Sequence, residues 1–355
     1  MGGLQAQLEE LILDVSFGTG VQLSVISRDG SAHLCAGVDS SGSAMSPSAM
    51  HPTYCATKPV LAALVGHCVA KGLMSPDDQV RDLLRIPTDN QMTLADVLNH
   101  RGAGLQRPHA TEWRMASEPQ RVQLLAAGMS ALTSNQFPSG YSEFLGWSIL
   151  ARVCEIQLGS GWAAIALDLV HHEAHGDIGL AFDMDSLTSC RESDLLRVPV
   201  CASTDGAFPM LSEITDACLR SCSLAFGGFA STAGLANFYW SAIRPAFKGE
   251  AQGSGLARLL RHERLPAYDE GLSQTAGFVA GMMRPLADFG FPRRVSAEAV
   301  GHVAAMSAMF GLYDPLGDIA IAGYVNGALV NQEDMKTVRR MLTTAALQAQ
   351  DIAPC

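Results

Sequence analysis

Residues 54–74 read Tyr54-Cys55-Ala56-Thr57-Lys58-Pro59-Val60-Leu61-Ala62-Ala63-Leu64-Val65-Gly66-His67-Cys68-Val69-Ala70-Lys71-Gly72-Leu73-Met74. From Lys58 to Lys71 the pattern is helical: Leu61, Leu64, Val65, Cys68 and Val69 make one face, and Gly72 supplies the C-cap. Cys55 and Lys58 stand three apart, so at the start of that helix both side chains emerge on one face. A helix N-terminus stabilises negative charge, and a neighbouring ammonium does the same; both lower a thiol's pKa. Those are the conditions a nucleophilic thiolate needs. The spacing alone is a weak signal, because most buried cysteines are inert.

Working outward, Val21-Gln22-Leu23-Ser24-Val25-Ile26-Ser27 alternates apolar and polar as a half-buried strand does. Arg28-Asp29-Gly30-Ser31 supplies a turn, and Ala32 to Val38 returns as a second strand. A Ser/Gly-rich loop, Asp39 to Met50, leads to Cys55, and Leu4, Leu8, Leu11 and Ile12 repeat at helical spacing before the hairpin. Between Ser75 and Thr204 strand signals are scarce. Helices are expected at Thr93–Leu98 and at Gly146–Ile156, the latter with Trp147, Leu150, Ala151 and Cys154 on one side. Strand character returns in a hairpin of Ala308–Tyr313 and Asp318–Val325 around Asp314-Pro315-Leu316-Gly317, and Gln332 to Gln350 closes the chain as a helix. Strands at both ends with helices between predict an α+β fold: an antiparallel sheet built from both termini, flanked by helices, with an all-helical domain inserted. The expected boundaries are 1–75 plus 205–355 for the discontinuous α/β domain and 76–204 for the helical one, with the active site in the cleft between them.

Composition narrows the function. The 355 residues are 48% hydrophobic and carry 24 Lys+Arg against 35 Asp+Glu, a net charge of −11, which excludes intrinsic disorder. An acidic balance without a basic run argues against nucleic acid or an anionic membrane as partner. The apolar run Val60–Gly66 is far below the roughly 20 residues of a spanning helix, and the N-terminus lacks the form of a secretory signal. Nine cysteines, an odd number without a Cys-x-x-Cys pair, argue against a disulfide framework or structural zinc and suggest a reducing cytoplasm. His171-His172-Glu173-Ala174-His175 lacks the arrangement of zinc proteases and is read as a helix-end or solvated polar cluster, so no metal and no cofactor are expected. Met282, Met283, Met306 and Met309 read as core or an adaptable pocket wall, and His100 and Arg101 as structural or wall residues.

The order of segments around Cys55 resembles the serine β-lactamase and penicillin-binding-protein-like superfamily, in particular its class C β-lactamase, esterase and transacylase branch. Cys55-Ala56-Thr57-Lys58 stands where that family has Ser-x-x-Lys after an N-terminal hairpin. Val69–Val80 is similar to its helix end and the "Gly-Leu, Asp-Asp, Val" continuation. Thr93–Leu105 is similar to its "Leu-Leu-Thr-His-Thr-Ser-Gly-Leu" stretch. Tyr141-Ser142-Glu143 matches Tyr-Ser-Asn except at Glu143, and Gly227-Gly228 resembles its paired glycines. Gly301-His302-Val303-Ala304 stands where the family has Lys-Thr-Gly or His-x-Gly.

The resemblance implies a β-lactamase-like fold with Cys55 as acyl-accepting nucleophile, Lys58 as its base or charge partner and Tyr141 as second proton-transfer residue. It further implies an oxyanion hole from the backbone N–H groups of Cys55 and Ala305, and substrate contacts from Glu143, His302, Val303 and Ala304, with His302 on an edge strand. Cysteine for serine changes the intermediate from ester to thioester. Glu143 for Asn and Ala304 for Gly argue against β-lactam hydrolysis. The expected activity is a transacylase forming an amide or ester in specialised metabolism, from a small-molecule acyl donor to an amine, alcohol or water. A hydrolytic esterase or amidase, and a silent ligand-binding homologue, are the alternatives; oligomeric state is not indicated.

Overall fold

The N-terminal hairpin forms where alternation and turn chemistry place it: β1 (Gly20–Ser27) and β2 (Gly30–Gly37) pair antiparallel, Gly20 opposite Gly37 and Ser27 opposite Gly30. The structure is a computed structural model, and it describes residues 6, 8, 9, 19–39, 42–102, 118–130, 140–142, 145–161, 180–181, 228–304, 309–326 and 332–352. The expected first helix lies mostly outside them; Ala6, Leu8 and Glu9 are helical and Leu8 is buried.

The described helices include α1 (Lys58–Ala70), α2 (Leu94–Leu98), α3 (Leu145–Leu158), α4 (Thr232–Phe238), α5 (Ser254–Leu259) and α6 (Gln332–Ile352). The later strands are β3 (Glu263–Asp269), β4 (Gln274–Val279), β5 (Met282–Met283), β6 (Val300–Val303), β7 (Phe310–Asp314) and β8 (Ile319–Val325). They join the hairpin in one eight-stranded antiparallel sheet, ordered β2-β1-β8-β7-β6-β5-β4-β3. The central pairing, β1 on β8, ties the two ends of the chain together, as the α+β reading requires.

Side chains alternate across this sheet with period two. Val21, Leu23 and Val25 of β1 and Ile319, Ile321 and Val325 of β8 share one core with Val338, Leu342 and Ala345 of α6. Ala320, Ala322 and Tyr324, on the other face of β8, belong to a second core with α1, α3 and α4. The sheet is therefore covered on both faces, which corrects the half-buried expectation for β1. Its polar residues Gln22 and Ser24 are buried too, and are satisfied: Gln22 Nε2 donates to the Ala49 carbonyl at 3.0 Å, its Oε1 accepts from Thr232 N at 3.2 Å, and Ser24 bonds Thr232 at 2.8 Å.

Helix α1 likewise has more than one buried face; from Lys58 to Val69 only His67 is not fully buried. It lies so close to α5 that a Cβ at Gly255 would sit 1.8 Å from the Gly66 carbonyl oxygen, so only glycine fits there. Its end follows the sequence reading: Gly72 takes φ +69° and donates to the Val69 carbonyl, while Leu73 N donates to Cys68 O. Helix α2 starts with a capping box, Thr93 and Asp96 each bonding the other's backbone N–H. The 204/205 domain boundary lies outside the described residues.

Candidate active site

Cys55 occupies a single 3-10 turn, Tyr54–Thr57, that runs directly into α1. Three observations show how the turn is held. The short strand His51–Pro52 pairs with Phe229–Ala230. Thr53 N donates to the Gly228 carbonyl at 2.8 Å, and Gly228 N donates to Thr57 Oγ1 at 3.1 Å. A Cβ at Gly228 would come within 2.7 Å of both threonine hydroxyls, so the second of the paired glycines is where the chain needs no side chain. Tyr54, just before the cysteine, has φ 44°, and His100 has φ 55°; such left-handed conformations cost about 1–3 kcal/mol and cluster where surrounding structure enforces a functional geometry.

Lys58 is completely buried, its Nζ 5.1 Å from the Tyr141 ring centre and 5.7 Å from that of Trp147, so two aromatic faces meet the ammonium. The Tyr141 ring also stacks on His100, centroids 4.5 Å apart. Two buried histidines flank this group. Burial, then the Lys58 charge, pushes His302 down to about 3. Burial and the nearby Lys58, Arg264 and His302 charges push His100 well below its ordinary value. Both are neutral at pH 7, and their hydrogen bonds fix opposite tautomers. His302 Nδ1 faces the Val303 carbonyl at 3.0 Å, which can only accept, so Nδ1 carries the proton and Nε2 is a bare acceptor. His100 Nδ1 accepts from Ser142 N at 2.9 Å, so its Nε2 carries the proton. Neither Nε2 has a hydrogen-bond partner among the described residues.

Beneath them lies an ion pair that the sequence reading missed. Arg264 Nη2 donates to Asp269 Oδ2 at 2.7 Å, with side chains 4% and 0% exposed. Asp269 Oδ1 accepts from Tyr141 N at 2.9 Å and from Leu272 N at 3.0 Å, while Arg264 Nη1 donates to the His100 carbonyl at 3.0 Å. The pair thus fixes the backbone of Tyr141 and of His100.

A cavity of about 260 Å³ opens on this group, lined by Cys55, Tyr141, Val303 and Ala304. Leu272, Met283, Phe289 and Met335 supply apolar wall, and Lys336 and Arg339 of α6 bring positive charge. Of the expected site residues, Cys55, Tyr141, Val303 and Ala304 share this cavity, and Lys58 lies against the Tyr141 ring. His302 does not line it: alternation along β6 turns its side chain away from the wall that Val303 presents. Nor is β6 an edge strand. It lies between β7 and β5, although β5 pairs with it only at Gly301. Glu143, Ala305 and His171–His175 lie outside the described residues, as does Met306. Met283 lines the cavity, and Met282 and Met309 are core, as the sequence reading allowed.

Residues 19–168 match the family model described as Beta-lactamase. That segment is therefore similar to the Beta-lactamase family, and the chain has a β-lactamase-like fold, as the solved structures it resembles show. A penicillin-binding protein homologue from Caulobacter crescentus aligns over 97% of both chains at 16% identity, with a TM-score of 0.74. A family VIII carboxylesterase aligns over 97% of both chains at 16% identity and a TM-score of 0.73. The D-amino acid amidase from Ochrobactrum anthropi SV3, in complex with L-phenylalanine, covers 99% of this chain and 98% of its own at 14% identity and a TM-score of 0.75. No curated protein matches the chain. Among the described residues, no helix is long and apolar enough to cross a membrane.

Proposed function

We propose that the protein is an acyl-transfer enzyme working through a thioester on Cys55. The observation that supports this most is the shared cavity: Cys55 and Tyr141 line it together, with the Lys58 ammonium 5.1 Å from the Tyr141 ring. The family match and the neighbours whose names include a carboxylesterase and an amidase support acyl chemistry in general. In the proposed cycle the Cys55 thiol first loses its proton to solvent, the Lys58 ammonium stabilising the thiolate, which then attacks the acyl carbonyl. The tetrahedral oxyanion meets the backbone N–H groups of Cys55 and Ala305. Collapse breaks the bond to the leaving alcohol or amine, which Tyr141 protonates. An acceptor amine, alcohol or water then attacks the thioester, gives its proton to the same group, which restores the Tyr141 hydroxyl, and collapse releases the Cys55 thiolate. Glu143, beside Tyr141 in sequence, is the proposed contact for an amine-bearing acceptor.

Thioesters favour amines over water more strongly than oxygen esters do, which directs this reading to a transacylase. Hydrolysis by the same route is the second reading, favoured by the carboxylesterase and amidase neighbours. Rates of alkylation at neutral pH in wild type, Lys58→Ala and Cys55→Ala test the nucleophile. Fast labelling of Cys55 that slows in Lys58→Ala is expected. Labelling no faster than an ordinary thiol contradicts it.

A further inference from the structure

Away from the cavity, two cysteines that acyl transfer does not use lie together. Cys68, in the last turn of α1, and Cys154, in the second half of α3, are free thiols and fully buried. Their side chains share a hydrogen bond where the two helices pack. The same helices meet again nearer their starts, where the Lys58 ammonium lies 5.7 Å from the Trp147 ring, so they run side by side in the same sense. The hydrogen bond makes the two sulfurs unlike. It lowers the Cys68 thiol, with burial opposing and the Lys71 charge assisting. It raises Cys154, which burial and the Cys68 and Glu155 charges raise further. Cys154 is therefore the donor and Cys68 the acceptor. A thiol whose charged form is favoured is the one that reacts with peroxide, and a protonated thiol beside it resolves the product. The pair also lies close to the surface: Lys71, Gly72 and Leu73 after Cys68 are exposed, as is Ile156 two residues after Cys154. Helix ends fray, so a molecule as small as hydrogen peroxide can reach a sulfur in the last turn of α1.

We propose that Cys68 and Cys154 form an oxidative modification site, which a peroxide converts into one disulfide stapling α1 to α3. The Cys68 sulfur attacks one peroxide oxygen, the O–O bond breaks, and the departing hydroxide takes up the Cys68 proton and leaves as water. The Cys154 sulfur then attacks the Cys68 sulfenic sulfur, the S–O bond breaks, and a second water carries away the Cys154 proton. The two thiols lose two electrons in all, and the peroxide gains them. Cys68 lies about 15 Å along α1 from Lys58, so the site stands independently of the acyl-transfer reading. The bridge joins residues 86 positions apart, a span long enough to restrict the unfolded chain strongly.

Full-length wild type is treated with hydrogen peroxide at neutral pH, remaining thiols are blocked with N-ethylmaleimide in denaturant, and unreduced peptides are mapped by mass. The expected product is a linked Cys68–Cys154 peptide pair, two hydrogens lighter than the separate peptides and lost on reduction with dithiothreitol. The oxidised protein is expected to unfold about 3 °C or more above the reduced one, and Cys68→Ala treated alike to show no such gain. In Cys154→Ala, which lacks the resolving thiol, dimedone is expected to trap a sulfenic acid at Cys68. Both cysteines recovered as maleimide adducts, after peroxide has oxidised other thiols of the same chain, overturn the proposal. Either of them bridged mainly to another cysteine does the same. A Cys68–Cys154 bridge that leaves Tm unchanged or lowers it contradicts the staple.

Discussion

His302, His100 and His51 are imidazoles that the folded chain keeps neutral. Burial pushes His51 and His302 to about 3, the Asp39 charge opposing it at His51, and holds His100 lower than its ordinary value as well. For a base with a depressed folded pKa, the unfolded chain binds the proton first. Stability is therefore fully present above pH 6.5 and is lost as pH falls from 6.5 toward about 3. His51 and His302 each contribute about 1.4 kcal/mol per pH unit within that window, and His100 acts in the same direction. Urea midpoints are expected to fall steadily from pH 7 to 4.5, and His302→Gln to show a shallower fall; an identical slope contradicts the neutral-histidine account. The residue scale is also where sequence spoke most directly. Cys55, Lys58 and Tyr141 stood out because their chemistry and order are visible in the chain. Asp269 and Arg264 did not, because a buried pair has no local signature: its meaning comes from Tyr141 N, 128 positions away, arriving at Asp269 Oδ1.

At the scale of elements, that pair is a brace between β3 and the Tyr141 loop. Asp269→Asn is expected to cost about 3–5 kcal/mol by leaving a buried guanidinium uncompensated, and Arg264→Met/Asp269→Leu to cost less than the single change. Chemical denaturation of the two variants checks it, and a double variant as damaged as Asp269→Asn would contradict it. The capping box of α2 carries a smaller prediction: Thr93→Ala lowers stability by about 1 kcal/mol in the same assay, and a change below a few tenths would show the box to be idle. The two hairpins, α1, α2, α3 and α6 were legible because period and caps are local properties. Strands β3 to β5 were not. Glu263-Arg264-Leu265-Pro266-Ala267-Tyr268-Asp269 contains a proline and a register shift between Arg264 and Ala267, which only an edge strand tolerates and which erases the alternation. The burial of Gln22 and Ser24 escaped for a related reason. A polar residue satisfied by a helix more than 200 positions away reads, locally, as a solvent face.

At the scale of the whole molecule, one core joins Val60, Leu61 and Leu64 of α1 with Leu98, Trp147, Leu150 and Cys154 from the proposed helical domain. Calorimetry is therefore expected to give a single unfolding transition, and two well-separated transitions would show that the segments fold as independent units. The fold brings residues from distant parts of the chain, Cys55, Tyr141, Ala304 and Arg339, onto one cavity. That the cavity works by covalent acyl transfer is the central claim, and intact-mass measurement of the protein tests it most directly. Wild-type chain mixed with an activated ester, then with an amine, is predicted to gain one acyl group, absent in Cys55→Ala, and to lose it to the amine faster than to water. A mass that never changes, or one that rises equally in Cys55→Ala, would contradict it.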